Sequence, residues 1–143
     1  MPLHNRGLVT PIVLDTNIAL DLLVFDDPAC AALREALHSG QCRWLASAAM
    51  RVELARVLGY PAVVSQLARR GRTADAVLAA FDAAITRVPE PPRAPCVCED
   101  PDDQVFIDLA VAHRAQLLSK DRAVLLTRRR MAELGVAVRS VFA

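Results

Sequence analysis

Pro11-Ile12-Val13-Leu14 is apolar at every position and stops abruptly on Asp15. A strand with one wet face alternates polar and apolar residues. An unbroken apolar run therefore marks a strand buried on both faces, as in a parallel sheet. Arg43-Trp44-Leu45-Ala46, residues 85–88, Leu117-Leu118-Ser119 and residues 136–142 offer further short strands. Helical segments fall between them. A short apolar helix is expected from about Ile18. Asp27-Pro28 opens the next, with Asp as cap and Pro in the first turn, and Gly40 ends it. Ser47 stands where a cap is wanted for a helix reaching about Leu58. Helices are expected over 62–70 and over 74–84, the latter capped by Thr73, then over 101–115 and 122–134, with Gly135 before the last strand. Strands alternating with helices define an α/β protein whose parallel sheet, of about five strands, is covered on both faces.

The one clear break is Pro89-Glu90-Pro91-Pro92-Arg93-Ala94-Pro95. Four prolines in seven residues cannot form helix or central strand, so residues 89–99 read as a stiff connector inside one domain spanning 1–143. Residues 1–10 read as a loose lead-in. No apolar run approaches the roughly 18 residues a membrane helix needs, and the N-terminus has no signal core. A soluble, cytoplasmic protein without membrane contact is expected. The cysteines Cys30, Cys42, Cys96 and Cys98 are expected to be reduced, and a single residue between Cys96 and Cys98 is too tight for zinc.

The net charge of +1 neither demands nor excludes nucleic acid. Its distribution says more: Arg69-Arg70-Gly71-Arg72 and Arg128-Arg129-Arg130 are basic clusters, whereas acids gather between Glu99 and Asp103.

Four acids stand out. In an open parallel sheet, ligands bind beyond the carboxyl ends of the strands, where Asp15 and Asp121 fall, although either alone is explained by capping the next helix. At about 100° per residue, Glu53 shares the apolar face of its helix with Met50 and Val57. A carboxylate there needs a partner, and Arg56, one turn on, is the plain one. Asp100-Pro101-Asp102-Asp103 is what any helix start prefers. Asp103 nevertheless aligns with Phe106, Ile107 and Ala110, whereas Asp108 and Gln104 fall on the expected solvent side. Asp102, at the edge of the stripe, is a reserve candidate. Carboxylates crowded at one sheet end repel one another unless some take up protons or a divalent cation joins them. Oxygen ligands select Mg²⁺ or Mn²⁺, and such a site suits phosphodiester hydrolysis.

Val13-Leu14-Asp15-Thr16-Asn17 resembles the opening strand of PIN domains. Ser47 to Leu54, with Glu53, resembles the second element of that family. Asp100 to Ile107, with Asp103, resembles the third, and Leu117-Leu118-Ser119-Lys120-Asp121 the last. The motifs run in the family's order across most of the chain. The resemblance implies a three-layer α/β/α fold, cleavage of single-stranded RNA, and Mg²⁺ or Mn²⁺ held by Asp15, Glu53, Asp103 and Asp121. Asn17, Ser119 and Thr16 then support the ligands. Size and the Asp-Pro-Asp-Asp segment also resemble the toxin branch of bacterial toxin–antitoxin pairs, which implies an antitoxin partner and a homodimer. Lys120, Arg122, Arg128, Arg129 and Arg130 are candidate RNA contacts.

Other classes fit less well. A phosphatase with an aspartate nucleophile needs a second Asp where Asn17 stands. A phospho-acceptor receiver needs an acidic pair at the first strand end. An NTPase needs a Gly-rich loop with Lys and Ser/Thr. A non-catalytic binding or regulatory module, its acids serving as caps and salt bridges, is the chief alternative.

Overall fold

The structure is a computed structural model and describes residues 9–142. Most of the expected lead-in, residues 1–8, lies outside the described residues, and Thr10 already belongs to the first strand. The strands are β1 (Thr10–Leu14), β2 (Cys42–Ala46), β3 (Ile85–Arg87), β4 (Gln116–Leu118) and β5 (Val138–Arg139). All pair in parallel, in the order β3-β2-β1-β4-β5. Ile12, Val13 and Leu14 are consecutive and all buried. Because successive strand residues point to opposite faces, both faces of the sheet are covered, and the protein is a three-layer α/β structure.

The helices are α1 (Thr16–Leu20), α2 (Ala31–His38), α3 (Ala48–Val57), α4 (Pro61–Arg69), α5 (Ala74–Ala84), α6 (Gln104–His113), α7 (Arg122–Leu125) and α8 (Arg128–Glu133). Trp44 of β2 and Phe81 of α5 meet edge to face, ring centroids 5.2 Å apart, which ties α5 to the sheet. Among the described residues, no helix is long and apolar enough to cross a membrane.

Several local expectations are corrected. The single helix expected over 122–134 is broken, because the Thr127 hydroxyl donates to the Val124 carbonyl at 2.6 Å and closes the α7 turn. Ser47 occupies the cap position of α3 but makes no capping bond. The Ala49 N–H there donates instead to Glu90 Oε2, 2.9 Å away on the connector. After α1 the chain widens into a π-helical turn, Asp21–Phe25, that spacing alone did not reveal. Such turns often accompany functional sites.

The largest correction concerns α6. Gln104 and Asp108, expected on the solvent side, are buried at 7% and 9% exposure. The connector lies over them. Asp108 Oδ1 accepts from the Ala94 N–H at 2.8 Å and from Gln104 Nε2 at 2.9 Å. Gln104 Oε1 accepts from the Cys98 N–H at 2.8 Å, and its amide donates to the Cys96 carbonyl at 2.9 Å. Ala94, Cys96 and Cys98 are buried while Pro95 and Val97 are exposed, so this strip alternates like a strand. Side-chain amides and carboxylates take the place of a neighbouring strand.

Candidate metal centre

Strand order reverses at β1: β2 and β3 lie on one side, β4 and β5 on the other. The crevice beyond the carboxyl ends of β1 and β4 is the topological switch point, where open parallel sheets bind ligands. Asp15 leaves β1 there, its N–H donating to the Leu118 carbonyl at 3.1 Å. Its Oδ1 accepts from the Ile18 N–H at 2.9 Å, and its Oδ2 accepts from the Ser119 hydroxyl. Ser119 Oγ accepts in turn from the Asp121 N–H at 3.0 Å, so one buried hydroxyl fixes both strand-end acids. Asp121 Oδ1 accepts from the Ala123 N–H at 2.9 Å. Both aspartates therefore do cap helices, but capping occupies one oxygen of each.

Asp103 ends a 3₁₀ turn, Pro101–Asp103, that leads into α6. Single carboxylate oxygens of Asp100, Asp103 and Asp121 all lie within 4.8 Å of one another. By sequence Asp100 reads as a helix cap alone. It does cap, accepting from the Asp102 N–H at 3.0 Å, and it joins the cluster as well. The doubled acids of Asp-Pro-Asp-Asp were the signal available.

The cluster is electrostatically strained. Burial, then a hydrogen bond shared with Asp121, then the charges of Asp121, Asp100 and Asp15 push the Asp103 carboxyl up to about 7. Ionised, Asp103 Oδ2 is buried with no hydrogen-bond partner; protonated, it can donate to Asp121. Burial also raises Asp15, against the lowering effect of the Ser119 bond. Crowded hard oxygens and a buried acceptor lacking any donor fit a divalent cation of the Mg²⁺ or Mn²⁺ kind.

A cleft of about 460 Å³ opens over these acids; Asp15, Thr16, Asn17, Glu53, Asp102, Asp103 and Asp121 all line it. Glu53 is drawn toward Arg56, whose Nη2 and Nε donate to Glu53 Oε1 at 2.6 and 3.1 Å. Asp102 is exposed at the margin. The basic candidates sit elsewhere. Lys120 pairs with Asp21 of the π-helical turn, a partner 99 residues away in sequence. Arg122, Arg128, Arg129 and Arg130 are exposed, and Arg130 donates to the Pro95 carbonyl at 3.3 Å. Among the described residues, none of these five lines the cleft, whose lining includes Arg56 as a cation.

Removing the Ser119 hydroxyl leaves Asp15 to its burial, so its carboxyl rises further and holds its proton to higher pH. Ser119→Ala is expected to weaken metal affinity by roughly 10- to 100-fold and to shift the onset of metal-induced thermal stabilisation to higher pH. Titrating melting temperature against Mn²⁺ at several pH values checks this; superimposable curves would rule the role out.

Fold and site together define an α/β protein with an acid cluster at the switch point of its parallel sheet. The family model described as the PIN domain matches residues 11–123, from β1 into α7, and the chain belongs to the PIN domain family. PIN domains are in general nucleases, and they typically employ divalent metal ions. A search of curated proteins finds no match to this chain.

Proposed function

We propose that this protein is a metal-dependent endoribonuclease that hydrolyses phosphodiester bonds in single-stranded RNA. The observation that carries the reading is the convergence of Asp100, Asp103 and Asp121 beside Asp15, with Asp103 Oδ2 buried and unpartnered. Asp15, Asp103 and Asp121 would hold Mg²⁺ or Mn²⁺, with Glu53 at the cleft wall and Asp102 in reserve; Asp100 joins them from the same turn. A divalent cation bound by these acids lowers the pKa of a water and offsets charge on a phosphodiester. The protein's own part is to hold the ligands. Ser119 fixes Asp15 and Asp121, while Thr16 and Asn17 line the same wall. Lys120, Arg122 and Arg128 to Arg130 would meet RNA outside the cleft.

The reading extends to a cytoplasmic toxin of a toxin–antitoxin pair, blocked by a separate antitoxin chain and able to form a homodimer, with residues 1–143 as one nuclease domain containing the connector 89–99. The experiment is cleavage of a labelled single-stranded RNA in Mn²⁺, Mg²⁺ or EDTA, with wild type, Asp15→Asn and Asp121→Asn. Cleavage that requires metal and falls at least about a hundredfold in both variants is expected, since loss of an outer-shell partner alone costs roughly 10- to 100-fold. No cleavage, together with no metal-induced rise in melting temperature, would return the acids to caps and salt bridges in a non-catalytic module.

A further inference from the structure

We propose that Tyr60, backed by Arg56, is a stacking subsite for an unpaired nucleobase next to the phosphate held at the acids. The inference rests on the nucleic-acid reading above and specifies what the other half of the cleft does. Besides its acids, the cleft is lined by apolar side chains that include Leu20, Phe25, Val57, Tyr60 and Val63. Tyr60 is 43% exposed there.

Tyr60 does not serve as a helix cap. It occupies the N-cap position of α4, a place that favours Ser, Thr, Asp or Asn, but makes no capping hydrogen bond. Pro61 follows and holds Tyr60 extended, at φ −68° and ψ 140°. The ring thus projects from a turn that the backbone has fixed before any ligand arrives.

Arg56 stands over the ring, its guanidinium carbon 5.8 Å from the centroid. The same guanidinium reaches Glu53, so it bridges the aromatic wall and the acidic wall. A partly exposed aromatic ring backed on one face by a guanidinium is a pairing that takes single-stranded bases: every base has a π-face to lay on the ring, and the cation meets the adjoining phosphate. Bases within a duplex already stack on one another and cannot use it. An apolar protein segment would fit the aromatic wall but not the acids continuous with it, whereas a nucleotide suits both once a cation is bound.

The test uses a short single-stranded RNA carrying 2-aminopurine, whose fluorescence falls on stacking, with Asp121→Asn protein so that the strand stays whole. Quenching is expected with Asp121→Asn, absent with Asp121→Asn/Tyr60→Ala and restored with Asp121→Asn/Tyr60→Phe, which keeps the ring. Affinity should fall by roughly tenfold with the alanine. In the active protein, Tyr60→Ala should raise KM by a similar factor with little change in kcat, while the metal-induced rise in melting temperature persists. Equal quenching with and without Tyr60, or no quenching either by Asp121→Asn or by the wild type in Mn²⁺ before cleavage, overturns the subsite. Tyr60-dependent quenching by a protein that cleaves nothing would uphold the subsite and sink the nuclease reading instead.

Discussion

Asp103→Asn is expected to make the metal-free protein more heat-stable at neutral pH while removing at least about a hundredfold of the metal-dependent cleavage proposed above. The two effects share one cause. The carboxyl of Asp103 is raised from 3.8 to about 7 in the folded protein, first by burial and then by Asp121 and its other acidic neighbours. A folded-state pKa above the unfolded one means that the native protein binds the proton more tightly. That stability is fully present below about pH 4 and is lost as pH rises through about 7. The metal-free wild type should therefore melt at progressively lower temperature across this window, with Asp15, also raised by burial, adding in the same direction. Asparagine cannot ionise, and its amide can still donate to Asp121, so the variant should show a flatter profile and the higher melting temperature above pH 7. Mn²⁺ should stabilise wild type more at pH 8 than at pH 5, because protons compete with it, and should stabilise the variant much less. Thermal melts in EDTA and in Mn²⁺ across pH 4–8 check both halves. A variant less stable than wild type at pH 8 in EDTA would show that Asp103 is not strained. Stability gained where activity is lost is the pattern expected of a functional site.

That strain was partly legible in the sequence. Short apolar runs mark β1 and β4, and Asp15 directly after the first and Asp121 three residues after the second stand at strand ends, so the sequence alone places both. Helical periodicity puts Asp103 and Glu53 on inward faces; both line the cleft, but only Asp103 joins the three-acid cluster, while Glu53 pairs with Arg56. The same periodicity misplaced Gln104 and Asp108, because a helical pattern assigns polar residues to solvent and is blind to a loop that later covers them. Lys120 illustrates a second limit: its partner Asp21 lies on a π-helical turn that has no period to read. Asp100 shows a third. A capping signature accounts fully for one carboxylate oxygen and conceals what the other can do.

The covered face of α6 leads to the second large effect. Asp108→Ala should cost about 3 kcal/mol of stability, a sizeable part of what a domain of this size has. The reason is what it orphans. Asp108 Oδ1 accepts from the Ala94 N–H and from Gln104 Nε2, and alanine leaves both donors in a buried place with nothing to meet. Gln104 holds the next stretch of connector through Cys96 and Cys98, so the latch loosens along its length. Asp108→Asn keeps an acceptor oxygen for both donors and should lose far less. Arg93, 69% exposed and 4.0 Å from Asp108 Oδ2, adds little, and Arg93→Ala should be nearly neutral. Urea unfolding separates the three variants, and hydrogen exchange at the amides of Ala94 and Cys98 should quicken in Asp108→Ala well before global unfolding. Asp108→Ala within about 0.5 kcal/mol of wild type would mean that the connector is held by its apolar side chains alone. The site is affected too, since Cys98 is followed within two residues by Asp100, which belongs to the acid cluster. A loosened connector no longer fixes that acid, and the Mn²⁺ concentration needed to raise the melting temperature should increase. The proline-rich segment thus does more than fill space. Gln104 and Asp108 hold its last residues against the start of α6, next to the turn that carries Asp100 and Asp103.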